Sequence, residues 1–201
     1  MTGDAIFNAY MAAETVGDEI NRLVMAVPDA FAPQLRLSLK MDEGLDGDWN
    51  AAHLGYHFLI KGAVPRQRVA GQLLLAFDLC RPEESSTWPY GRSALLTCAY
   101  APRYEAEGWS LTDILIGMDG RLTAKETAER FRRHADARLL EWESRAEDWN
   151  RRSWLYTVPL LKIDDRGALQ REIVKPVVAL LCEGKAPETA LEGTAAARFA
   201  E

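Results

Sequence analysis

The chain has 201 residues, 48% hydrophobic and 27% charged, with a formal net charge of −6. That size and balance suit one globular domain whose core needs no disulfide or metal staple, and no run approaches the roughly 18 consecutive apolar residues of a membrane span. Residues 1–50 hold nine acids (Asp4, Glu14, Asp18, Glu19, Asp29, Asp42, Glu43, Asp46, Asp48) and three bases (Arg22, Arg36, Lys40), which account for the whole net charge and leave no basic stripe to grip a phosphate backbone.

The stretch from Met1 to Tyr10 has no basic region leading into an apolar core, so no secretory leader is expected. Cys80, Cys98 and Cys182 lie far apart inside apolar runs. Their odd number and unpaired spacing fit reduced, mostly buried thiols better than disulfides or zinc ligands. Both features point to a cytoplasmic protein. Abundant alanine and a preference for arginine over lysine point to a high-GC bacterial or phage source.

Asp4 is placed to cap a helix over residues 5–27 that Pro28 ends. Ile6, Tyr10, Ala13, Val16, Ile20, Leu23 and Val27 fall at helical spacing, with Phe7 and Val24 widening the stripe. Gly17 weakens its middle by about 1 kcal/mol relative to alanine and leaves room for close packing. Leu35, Leu37, Leu39 and Met41 alternate with polar residues and predict a half-buried strand. A second strand is expected over residues 54–61 and a third over 69–80, where Gly71 interrupts the apolar face and predicts a bulge or bend. Residues 94–100 are nearly all apolar and read as a central strand, and 110–116 as a shorter one.

Thr123 and Glu126 match a capping box, and Ala128, Phe131, Ala135, Leu139, Trp142, Ala146 and Trp149 continue at helical spacing, predicting a long helix over residues 123–149. Residues 154–163 read as a strand in which Pro159 favours an edge or bulge. A last helix over residues 168–183 should kink or split at Pro176. The expected fold is α+β: one domain over residues 1–184, with a mainly antiparallel sheet of five or six strands, helices packed on one face, and a flexible tail over 185–201. The opposite sheet face, with Arg36, Ser38, Lys40, His57, Lys61 and Gln72, is expected to be open to solvent or a partner.

No catalytic, metal or nucleotide motif stands on this scaffold. His53 and His57 share a strand face without a third ligand in reach, and read as a partly exposed pair. His134, among arginines on the long helix, reads as a solvated surface histidine. The Asp42, Glu43, Asp46, Asp48 loop has oxygen ligands but not the spacing of a calcium loop. Glu172 and Lys175, three apart on a helix, lack the acid–x–lysine spacing of phosphodiesterase nuclease cores and read as an exposed pair. The expected function is therefore that of a non-enzymatic protein binder of the immunity, inhibitor or adaptor type, without cofactor or metal. It would meet a partner protein, which the acidic charge allows to be a basic one, through the acidic N-terminal third or the open sheet face. Asp42, Glu43, Asp46 and Asp48, with the loop anchors Trp49, Trp88, Tyr90, Arg92 and Trp109, are the candidate contacts. The alternative is a small hydrolase-like enzyme or ligand binder whose pocket uses His57, Asp78 or Asp113.

Overall fold

A computed structural model describes residues 2–33, 37–41, 53–62, 69–79, 93–102, 131–142 and 148–199. Helix α1 (Gly3–Phe31) is longer at both ends than the sequence predicts. Its N-cap is Thr2, whose Oγ1 accepts the Ala5 amide at 3.4 Å, and Asp4 lies in the first turn, where it favours the positive helix end. Pro28 lies inside the helix rather than ending it. Its ring costs the carbonyl of Val24 a donor, about 3 kcal/mol in an exposed helix. Burial of Val27, Ala30 and Phe31 on either side of it holds the helical path.

Seven antiparallel strands form one sheet among the described residues: β1 (Leu37–Met41), β2 (His53–Gly62), β3 (Val69–Asp78), β4 (Leu95–Ala101), β5 (Phe131–His134), β6 (Leu139–Trp142) and β7 (Ser153–Pro159). Their order is β1-β2-β3-β4-β7-β6-β5. Two meanders, β1 to β4 and β5 to β7, are thus joined by the β4–β7 pair, in which Leu96 stands opposite Val158 and Tyr100 opposite Trp154. Alternation puts Leu54, Phe58, Ile60, Leu73, Leu75, Phe77, Leu96, Tyr100, Trp154, Tyr156 and Val158 on one face, and these pack with α1 and the C-terminal helical run in one core. The register between β2 and β3 slips at Ile60/Lys61, next to Gly71. The bulge expected from that glycine is therefore present.

Within the expected long helix, residues 131–142 are instead the β5–β6 hairpin, and Trp149 begins a 3-10 turn, Trp149–Arg151. The helical spacing of Phe131, Ala135, Leu139 and Trp142 is real, but β7 overrules it, while the capping box at Thr123 and Glu126 lies outside the described residues. Trp154, Leu155, Tyr156, Thr157 and Val158 are all buried, so β7 is an interior strand that needs a neighbour on each side. Leu140 stands opposite Leu155 and Glu141 opposite Trp154. The hairpin turns through Ala135, Asp136 and Ala137, all left-handed at φ 51°, 58° and 61°, a strained path for residues bearing a Cβ. Pro159 lies at the end of β7 rather than inside it, and the Leu160 amide donates to the Ala94 carbonyl at 2.8 Å.

After a single 3-10 turn, Leu160–Lys162, the C-terminal helical run α2 covers residues 166–181. It is α-helical over Arg166–Leu169, π-helical over Gln170–Val174 and α-helical over Lys175–Leu181. Pro176, expected to kink or split the helix, lies two residues beyond the π segment. The Tyr156 hydroxyl donates to the carbonyls of Glu172 and Ile173 at 3.0 and 3.3 Å. The expected flexible tail is packed instead. It contains α3 (Pro187–Ala190), buries Leu191 and Phe199, and donates the Ala197 amide to Thr157 O and the Phe199 amide to Ala137 O, each at 2.8 Å. Its few large apolar residues suffice because backbone pairing beside the free length of β7 does the rest.

Candidate protein-docking surface

The C-terminal half of α1 is fixed by its core residues Ile20, Val24, Val27, Ala30 and Phe31. The Tyr56 hydroxyl donates to Asn21 Oδ1 at 3.1 Å and Gln170 Nε2 donates to the Ala30 carbonyl at 2.9 Å. The N-terminal half is different: every residue from Thr2 to Val16 is exposed. Fourteen helical residues span about 21 Å at 1.5 Å each. A helix this short is marginal alone, but this one extends an anchored helix and needs no nucleus of its own. Ile6, Phe7 and Tyr10 are 56%, 64% and 52% exposed, and Met11 and Val16 are exposed beside them. Four bulky apolar side chains on two successive turns form one patch, unlike the single exposed leucines common on surfaces.

Val16 joins this patch to a groove of about 580 Å³ between α1 and residues 160–169. The floor is apolar, with Val16, Ile20, Leu23, Leu160, Ile163 and Leu169, and Leu161 stands on its lip with 88% of its surface exposed. The volume is in the range of ligand clefts. Four of its polar side chains are engaged with near neighbours. Thr15 Oγ1 donates to the Met11 carbonyl at 2.9 Å, Arg22 pairs with Glu19 at 2.6 Å, and Asp165 Oδ1 accepts the Ala168 amide at 2.6 Å. No histidine or thiol lines the groove, whose titratable groups are the carboxylates of Glu19, Asp29, Asp164 and Asp165 and the guanidiniums of Arg22 and Arg166.

Buried polar groups elsewhere are tied into the fold. Glu141 accepts from Arg152 at 3.2 Å and pairs with His134 Nε2 at 2.8 Å, while the Arg152 guanidinium lies 4.4 Å from the Trp149 ring centre. His134 is therefore a half-buried partner of a carboxylate, not a solvated histidine. Glu172 is buried too, and correcting the expected exposed pair, it accepts from Arg171 and from the Ala195 amide, both at 2.6 Å. Burial pushes the Cys98 thiol up to about 12, against a hydrogen bond with Tyr156 that lowers it, so it stays protonated and inert near neutrality. Cys182 is exposed, contrary to the expectation of a buried thiol.

Of the alternative catalytic residues, His57 and Asp78 lie on the sheet face turned away from the helices, 4% and 1% exposed. His57 stands opposite Leu74, four residues before Asp78 on β3, which separates the two by about 13 Å along the strand. They do not meet. This face is also not the open surface the sequence predicts. Gln72, Leu74, Ala76, Thr97, Ala99, Leu155 and Thr157 are buried there with His57, and Lys40 on edge strand β1 is exposed. Leu74, Ala76, Ala99 and Leu155 are interleaved with its buried polar residues, and apolar area on a sheet face favours cover.

Asp42, Glu43, Asp46, Asp48, Trp49, Trp88, Tyr90, Arg92, Trp109 and Asp113, with Cys80 and the expected 110–116 strand, lie outside the described residues. Sequence reasoning named the acidic N-terminal third as a partner face but singled out no α1 side chain in it, and so missed the apolar patch. The available clue was the width of its first two turns, where Ile6, Phe7, Tyr10 and Met11 spread apolar character beyond one narrow face. No family model matches the chain, and no curated protein or solved structure is significantly similar to it.

Proposed function

We propose that the chain is a protein-binding module that docks a segment of another protein along the free half of α1 and into the groove beside residues 160–169. The observation that carries this reading is the apolar patch Ile6, Phe7, Tyr10, Met11, held out on a helix whose other half is anchored in the core. Exposing it has an energetic cost in water that burial against a partner removes, at roughly 25 cal/mol per Å². The groove continues the patch with an apolar floor, which supports docking of an apolar segment. Among the described residues no helix is long and apolar enough to cross a membrane.

The test is site-specific photocrosslinking in the native host, with the photoreactive residue at position 7 and, as control, at position 185. A partner trapped from position 7 is then purified and mixed with the full chain. The expected result is a stoichiometric complex that Phe7→Ser with Met11→Ser weakens at least tenfold while the far-UV circular dichroism is unchanged. Equal trapping from both positions, or a complex indifferent to the two serines, overturns the reading.

A further inference from the structure

Resting on the docking role above, we infer that the partner segment is a cationic amphipathic helix. The spacing of charge on α1 leads to this. Asp4, Phe7, Met11, Glu14 and Asp18 follow one another at intervals of three or four residues, so they form a single ridge on the helix surface. Acids stand at both ends of it and the two bulky apolar residues lie between. A helix that covers Phe7 and Met11 must therefore approach Asp4 on one side and Glu14 and Asp18 on the other. Residues 2–21 contain no basic side chain, and the first, Arg22, is paired with Glu19 at 2.6 Å. Across the whole helix Arg22 faces five acids, Asp4, Glu14, Asp18, Glu19 and Asp29. Along the groove the carboxylates of Glu19, Asp29, Asp164 and Asp165 outnumber the guanidiniums of Arg22 and Arg166.

The same spacing argues against the two other occupants. A second copy laid antiparallel on the ridge, Phe7 against Met11, sets Asp4 of each copy beside Glu14 of the other. A parallel copy sets every acid beside its own counterpart. Both arrangements oppose like charges in an interface that is being dried. An anionic membrane surface repels the ridge for the same reason. A helix with leucine-like residues on one stripe and lysine or arginine at its flanks satisfies both features, apolar contact with Phe7 and Met11 and pairing with the three carboxylates. Steering by the acids also speeds encounter and discriminates against acidic helices.

The experiment uses the full chain and three labelled synthetic 18-residue peptides, followed by fluorescence anisotropy. One carries a leucine stripe flanked by lysine, one the same leucines flanked by glutamate, and one scrambles the lysine peptide. The lysine peptide is expected to bind at least tenfold more tightly than the others, and to weaken about tenfold between low and high salt. Asp4→Asn, Glu14→Gln and Asp18→Asn together are expected to weaken it about tenfold, and Phe7→Ser with Met11→Ser to abolish binding. Equal binding of the lysine and glutamate peptides, or indifference to the triple substitution, overturns the cationic helix. The docking role then survives only if the two serines still weaken both peptides, and falls with it if they do not. A dimer in equilibrium sedimentation that the serines dissolve, or binding to phosphatidylserine vesicles that they remove, assigns the face to another occupant and overturns the proposal as well.

Discussion

Gly71 has the one backbone position in β3 that a side chain cannot share. Its φ is 153°, and a Cβ there would fall 2.7 Å from the Ala101 carbonyl oxygen and 2.7 Å from Cε2 of Tyr100. Both contacts come from β4, which is packed on its other side by β7, so neither can retreat cheaply. Gly71→Ala is expected to cost about 2–4 kcal/mol through strain and overlap together. Urea denaturation checks this by a lower midpoint with the slope unchanged. Residues whose role depends on distant neighbours behave differently. Glu172 looks like an exposed helical residue until the Ala195 amide, 23 positions later, comes to its carboxylate.

At the level of elements, α1 joins an anchored half to a free one at Gly17. Among the described residues nothing lies within 4 Å of a Cβ added there, so the glycine serves no close contact with them and loosens the helix. Gly17→Ala is expected to stabilise the helix by about 0.5–1 kcal/mol. Slower amide exchange over residues 3–16, with little change in the core strands, is the check. Elements with strong local patterns were legible in the sequence. The α1 stripe, the alternation of β1, the gap at Gly71 and the all-apolar β4 each point to what formed. The β5–β6 hairpin was not legible, because Phe131, Leu139 and Trp142 fit helical spacing and only the unmet edge of β7 decides against it. The docking patch was half legible. Periodicity finds an apolar face but cannot say which turns run past the end of the sheet.

For the whole molecule, the C-terminal segment acts as a fastener between the hairpin turn and α2. Glu188 accepts the Ala135 amide at 3.0 Å, Arg138 donates to the Leu191 carbonyl at 3.0 Å, and Arg198 pairs with Asp136. These bonds hold the left-handed turn that the local sequence disfavours. The amides of Glu188 itself and of Ala135 keep the Glu188 carboxyl below its ordinary value, with His134 and Arg138 adding to the effect. A depressed native value means the contribution is present above the ordinary carboxylate range and is lost as pH falls through the native value. Glu188→Gln is therefore expected to flatten the decline in melting temperature between about pH 5 and 3. An unchanged acid profile removes Glu188 from this role.

The strand order has a further effect on how the chain reaches this state. Neighbours within β1 to β4, and within β5 to β7, are also neighbours in sequence, so each meander can assemble locally. The β4–β7 seam joins partners distant in sequence, among them Thr97 and Thr157, whose hydroxyls meet at 3.3 Å across 60 positions. Closing that distance is the entropically slow event, and until it happens two of the most apolar strands present bare edges to solvent. Refolding yield should therefore fall with protein concentration well before native stability does.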